Sequence, residues 1–165
     1  MNFNKVKLER VTIESKVKLE NLISIYLHEL SEFATDLKIN DDGRFEYDGL
    51  ELYFKSEDLK PYFITYQGDV AGFVLVNKGK YVPKDIDYVV HELFILKSFR
   101  NNGIGGVAIR ILLYECKGKY RIVQISSNKT AVNFWVKFYE KQGIKYIESK
   151  EKLDDLDVNV QIFNA

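Results

Sequence analysis

The chain has 165 residues, 46% of them hydrophobic, enough to bury one substantial core and too few for two ordinary domains, so residues 1–165 are read as a single domain. Its 24 basic and 24 acidic residues cancel, leaving no net field to draw in nucleic acid or an anionic membrane. No apolar run has the length of a membrane span, the start Met1-Asn2-Phe3-Asn4-Lys5 lacks an apolar signal core, and the single Cys116 excludes an internal disulfide, so a cytoplasmic protein is expected.

In chain order, a first strand is predicted over 6–12, then a helix over about 15–33 with Ser15 as N-cap and Leu19, Leu22, Ile23 and Tyr26 on its inner face. Asn40-Asp41-Asp42-Gly43 reads as a turn and 50–54 as a short helix. Strands over 61–66 and 70–76 form a hairpin across Gln67-Gly68-Asp69, and 77–87 is a loop. A fourth, strongly apolar strand runs over 88–96. After it Ile104, Val107, Ala108, Ile111 and Leu112 repeat at helical spacing up to Cys116-Lys117-Gly118, which puts Cys116 on the apolar side as a buried structural thiol. A fifth strand covers 121–127, a helix opens at Asn128, and two strands lie around 145–149 and 158–163, with the charged stretch 148–157 as a solvated hairpin.

The segment between the fourth strand and its helix, Arg100-Asn101-Asn102-Gly103-Ile104-Gly105-Gly106, has the makings of a phosphate cradle. Glycines leave the backbone uncovered, the helix start offers N–H groups without intrahelical partners, and Arg100 adds a positive charge. A P-loop is excluded, since Gly105-Gly106-Val107 lacks the Lys and the hydroxyl. Gly103-Ile104-Gly105-Gly106-Val107-Ala108 fits a dinucleotide fingerprint taken alone, but the next strand, Arg121-Ile122-Val123-Gln124-Ile125-Ser126-Ser127, has no acidic residue for a ribose. Too little chain follows for a doubly wound sheet.

Arg100-x-x-Gly103-x-Gly105 after an apolar strand resembles the pyrophosphate-binding motif of the GNAT superfamily, the acyl-CoA-dependent N-acetyltransferases. Asn128-Lys129-Thr130-Ala131-Val132-Asn133-Phe134-Trp135 is similar to that family's Asn-x-x-Ala-x-x-aromatic-aromatic helix start. The resemblance implies a single-domain α/β fold: a mixed, mostly antiparallel seven-stranded sheet flanked by about four helices, with the fourth and fifth strands splayed to admit a pantetheine arm. It further implies acetyl-CoA as co-substrate, bound by Phe94, Ile95, Leu96, Arg100, Asn101, Asn102, Gly103, Ile104, Gly105, Gly106, Asn128 and Trp135. Asn128 has a second reading as the cap of its own helix.

An N-acetyltransferase needs a base, because an amine with a pKa near 10.4 is almost wholly protonated at neutral pH. In the fourth strand only His91 and Glu92 can titrate, and strict alternation puts them on opposite faces, with Glu92 beside Phe94 and Leu96. Glu92 is the candidate base; His91 or a base acting through water also fits. Backbone N–H groups near Ile95 and Leu96 are the candidate oxyanion donors. Trp135 stands where the resembled family usually has Tyr, so Tyr139, one helical turn on, is the candidate acid, although Ala131, Phe134, Trp135, Phe138 and Tyr139 also form an ordinary apolar stripe. No His, Cys, Asp or Glu cluster has metal spacing, and no metal is expected. In the resembled fold the acceptor enters over 26–53, which here carries Glu29, Glu32, Asp36, Asp41, Asp42 and Glu46; an acidic rim would suit a small cationic amine, and solvated surface is the other reading. The alternatives are a non-catalytic acyl-CoA-binding module and a protein N-acetyltransferase; a homodimer is left open.

Overall fold

The computed structural model describes residues 5–165; the segment 1–4, most of the start read above as lacking a signal core, lies outside the described residues. Seven strands form one sheet in the order β1-β2-β3-β4-β5-β7-β6. They are β1 Val6–Arg10, β2 Leu59–Tyr66, β3 Asp69–Lys78, β4 Tyr88–Ile95, β5 Lys119–Ile125, β6 Tyr146–Leu153 and β7 Leu156–Asn164. Every neighbouring pair is antiparallel except β4 and β5, which are parallel. A mostly antiparallel sheet is the expected architecture and excludes the doubly wound alternative.

Among the described residues there are three α-helices, α1 Lys16–Leu30, α2 Ile104–Glu115 and α3 Lys129–Gln142. The count is below the about four expected because Leu50–Phe54 forms a 3-10 helix. The sheet separates two apolar layers. On one face α1 buries Leu19, Leu22, Ile23 and Leu27 against Phe63, Phe73, Leu75 and Phe94. Each such aliphatic side chain contributes about 1.5–3 kcal/mol by leaving water. On the other face α2 and α3 cover Val74, Val76, Val90, Tyr120, Ile122 and Phe163. Among the described residues no helix is long and apolar enough to cross a membrane.

Three local features place the site. The β2–β3 hairpin turns on Gln67 and Gly68, both left-handed at φ 56° and 96°, which matches strand twist and fixes the register of the sheet's centre. Gly72 lets β3 close on the end of β4, since a Cβ there would lie 2.0 Å from the Phe94 carbonyl oxygen. The parallel pairing of β4 with β5 covers only Tyr88–Val90 against Tyr120–Ile122, and beyond it no pairing joins the two strands. The splay implied by the family resemblance is thus present.

Candidate active site

The β3–β4 register jumps from Val76 opposite Val90 to Leu75 opposite Glu92, so His91 is an extra, unpaired residue. This bulge breaks the alternation assumed from the sequence. Val90 packs into the layer under α2, whereas Phe94 packs under α1. Glu92 shares the α1 side, and the His91 ring meets the Tyr47 ring edge-on at 6.4 Å. His91 and Glu92 therefore face the same group of aromatic residues, which corrects the expectation of opposite faces.

Two tyrosines converge on the Glu92 carboxylate. The Tyr26 hydroxyl donates to Oε2 and the Tyr47 hydroxyl donates to Oε1 at 3.3 Å. Tyr26 is held by its ring, which packs on Phe73 and Phe94 at 5.7 and 5.6 Å. Close by, the Tyr53 hydroxyl donates to Asn77 Oδ1 at 2.6 Å. Burial pushes Glu92 up to about 7, against the two phenol hydrogen bonds, which pull it down. Burial and the Glu92 charge raise both phenols, which therefore stay protonated donors at neutral pH. Desolvation holds His91 below the ordinary imidazole value although part of its ring reaches solvent. Glu92 is thus a carboxylate poised near neutrality, as a general base needs. Removing one donor should raise it further: Tyr26→Phe should move the acid limb of kcat/KM to higher pH, read from the pH profile. An unmoved limb would show that the Tyr26 hydrogen bond does not set the ionisation of Glu92.

Below β4 the chain turns through left-handed Asn101 and Gly103, at φ 63° and 69°, into α2. The first helical bond runs from the Val107 N–H to the Gly103 carbonyl at 3.1 Å, so the N–H groups of Ile104, Gly105 and Gly106 precede the intrahelical ladder. Asn101, Asn102 and Gly103 are exposed, while Gly105 is buried. A Cβ on Gly105 would meet Phe134 at 3.3 Å and Ile95 at 3.5 Å, so the residue makes room for its neighbours as well as for a ligand. Phe134, which the sequence motif contained but no site role used, roofs this turn.

Arg100 is pinned rather than free. Its Nε donates to the Ile95 carbonyl at 2.7 Å, an Nη donates to Glu29 on α1 at 2.7 Å, and its guanidinium lies 5.4 Å from the centre of the Phe94 ring. Lys97 also reaches Glu29, at 3.9 Å. Glu29, expected on the acceptor rim, is instead tied to Arg100 beside the glycine turn.

At the gap, the Leu96 N–H donates to the Ala71 carbonyl at 2.8 Å, so it is not available as an oxyanion donor. The Ile95 carbonyl is taken by Arg100 away from β3, and the alternating ladder sends the Ile95 N–H to that same open side. Asn128 caps α3, its Oδ1 accepting from the Ala131 N–H at 3.1 Å. Trp135 and Tyr139 lie in the core, their rings stacked 5.9 Å apart. Tyr139 is 0% exposed, with its ring 4.5 Å from Tyr146 and 5.2 Å from Phe163. Among the described residues its hydroxyl has no hydrogen-bond partner, and burial raises its pKa. The apolar-stripe reading accounts for Tyr139: Glu92 is turned to the α1 side and Tyr139 is sealed under α3, so the two are not brought together. Cys116 follows the end of α2 and is partly rather than fully buried.

On the acceptor side, Asn40 organises the expected turn by accepting from the Asp42 and Arg44 N–H groups at 3.0 Å each. Tyr47 lines a cavity of about 360 Å³ whose other walls include Glu20, Glu46, Asp48 and Glu51, with Arg44 the one cation among them. Of the acids expected to rim the acceptor, Glu46 is the one at this cavity.

The sequence profile described as the acetyltransferase (GNAT) family matches residues 17–144. The crystal structure of an acetyltransferase from Thermus thermophilus is similar at 15% identity, with a TM-score of 0.66 and 100% of each chain covered. A GNAT family acetyltransferase from Streptococcus agalactiae is similar at 16% identity and a TM-score of 0.70, over 97% of this chain and 95% of that one. A third, from Elizabethkingia anophelis with acetyl-CoA bound, is similar at 12% identity and a TM-score of 0.56, over 98% and 99%. Identities this low speak to the fold. Among curated proteins no sequence match is found.

Proposed function

The chain belongs to the acetyltransferase (GNAT) family, and from that premise we propose that it transfers an acetyl group from acetyl-CoA to the primary amine of a small molecule. The observation that carries this reading is Glu92: a carboxylate pushed up to about 7, held by two tyrosine donors, on the strand that runs directly into the phosphate turn. The residues fit the co-substrate. The N–H groups of Ile104, Gly105 and Gly106 and the exposed Asn101, Asn102 and Gly103 suit a pyrophosphate, and the gap beyond Val90 and Ile122 suits an extended arm. With the side-chain carbonyl of Asn128 used as a cap, its amide NH₂ is the group to offer to an arm carbonyl.

In the reaction the amine nitrogen attacks the thioester carbonyl, Glu92 takes the amine proton, directly or through a water, and the C–S bond breaks to release thiolate. The Ile95 N–H steadies the oxyanion. Thiolate takes its proton from solvent, since a thiol with a pKa near 8.5 leaves tolerably without a dedicated acid. Glu46 and Asp48 at the Tyr47 cavity support a cationic acceptor, while Glu20 and Glu51 are paired with Lys16. The chain is read as one N-acetyltransferase domain, a reading supported by a single sheet that takes strands from Val6 to Asn164.

The test is to incubate pure protein with acetyl-CoA and a panel of amines while following free thiol. Amine-dependent release with intersecting double-reciprocal lines is expected, as direct attack requires both substrates bound together. Parallel lines or a trapped acetyl-enzyme would overturn direct attack. Stabilisation by acetyl-CoA without thiol release from any small amine would leave a binding module, and release with peptides alone a protein acetyltransferase.

A further inference from the structure

The two edges of the sheet differ. β1 is five residues long, whereas β6 is an eight-residue strand paired on one side to β7 along its whole length and open on the other. All of β6 after Tyr146 is exposed, including Ile147 at 76% and Leu153 at 58%. Long open edges are usually shortened, bulged, covered or charged, and of these devices β6 has only its charges, Glu148, Lys150, Glu151 and Lys152. β6 has no register break along its pairing with β7.

We propose that β6 pairs antiparallel with β6 of a second copy of this chain, about a two-fold axis at Lys150, joining two sheets edge to edge. The strand's own sequence selects this register. With Lys150 on the axis, Ile147 stands opposite the partner's Leu153, Glu148 opposite the partner's Lys152, and Ser149 opposite the partner's Glu151, each pair occurring twice. Shifting the axis to Ser149 sets Ile147 against Glu151, and shifting it to the midpoint of Ser149 and Lys150 sets Glu148 against Glu151. Within each chain the rows already continue inward. Ile147 lies beside Ile162 and Leu153 beside Leu156, so the dimer forms two four-residue apolar rows. On the other face Gln161 donates to Glu148 at 2.6 Å and Lys152 lies 3.6 Å from Asp157. The row across the axis thus alternates amide, acid, base, acid. Lys150 opposite the partner's Lys150 is the one like-charged pair of this register, a cost lowered because the stems lie along the axis and the ammonium groups reach water.

Light scattering after gel filtration should give twice the chain mass for the parent and a monomer for Lys152→Glu, which opposes two pairs of carboxylates. Under mild oxidation Lys150→Cys should give a disulfide-linked dimer, because directly opposed residues across strands lie within disulfide reach. Glu151→Cys, which faces Ser149 in this register, should not. The parent, whose one cysteine is Cys116, is the control. A Lys152→Glu dimer, or cross-linking through Glu151→Cys in place of Lys150→Cys, would overturn the proposal. A monomeric parent would leave the edge to a strand of a different protein and would overturn it equally.

Discussion

Glu92→Gln should lower turnover by roughly 10²–10⁴-fold while leaving acetyl-CoA affinity nearly unchanged. Gln keeps the shape but has a single amide oxygen, so it can accept from only one of Tyr26 and Tyr47, which bond different carboxylate oxygens, and it loses the proton acceptor. The pH dependence carries the same signature. A base near 7 is charged above that value, so parental kcat/KM should fall as pH drops through about 7, and the variant should lack that limb. Stability supplies a second readout with the opposite sense. The folded carboxyl is raised above the ordinary 4.5, so the native state binds the proton more tightly than the unfolded chain, and stability is lost as pH rises from about 4.5 to about 7. Glu92→Gln should remove that loss, which a thermal scan at several pH values measures. Near-parental turnover at saturating amine would assign deprotonation to His91 or to a water.

Gly105→Asp should abolish stabilisation by acetyl-CoA. A ligand at a hundred times its Kd raises stability by about 2.7 kcal/mol, and a domain of this size gains about 2–4 °C per kcal/mol, so the parental melting point should rise by roughly 5–10 °C. The substituted carboxylate sits at the second helical position of α2, where it would compete with pyrophosphate for the same N–H groups and dipole. Crowding against Phe134 and Ile95 is a separate cost, and Gly105→Ala isolates it because it adds the same Cβ without the charge. The alanine variant should melt lower yet still respond to acetyl-CoA. An unchanged response in Gly105→Asp would remove the phosphate site from the start of α2.

The local geometry of the turn proposed to hold the cofactor was more legible in sequence than the surroundings of Glu92, for a physical reason. Gly103, Ile104 and Gly105 form a backbone turn that opens α2, and a turn followed by a helix is a local event that spacing reports. Asn128 caps its own helix three residues away, again locally. By contrast, the Arg100 to Glu29 pair spans 71 residues and the Tyr26 to Glu92 bond 66, and no pattern within one element points to either. Tyr139 shows the limit of helical spacing: it identifies a stripe but not whether the stripe meets a ligand or the core. The Leu96 N–H escapes a reading built on side chains, because its partner, the Ala71 carbonyl, belongs to the backbone of β3.

The extra residue at His91 makes β4 two strands with separate reading frames. Residues before it are in phase with Tyr88; residues after it are in phase with the phosphate turn. Counting back from Phe94 and Leu96 puts Glu92 on the correct face, and carrying that count one step further misplaces His91. A count that starts from Tyr88 by strict alternation therefore puts Glu92 on the wrong face. Counting backward from Arg100 keeps Glu92, Phe94 and Leu96 together on the α1 side of the sheet.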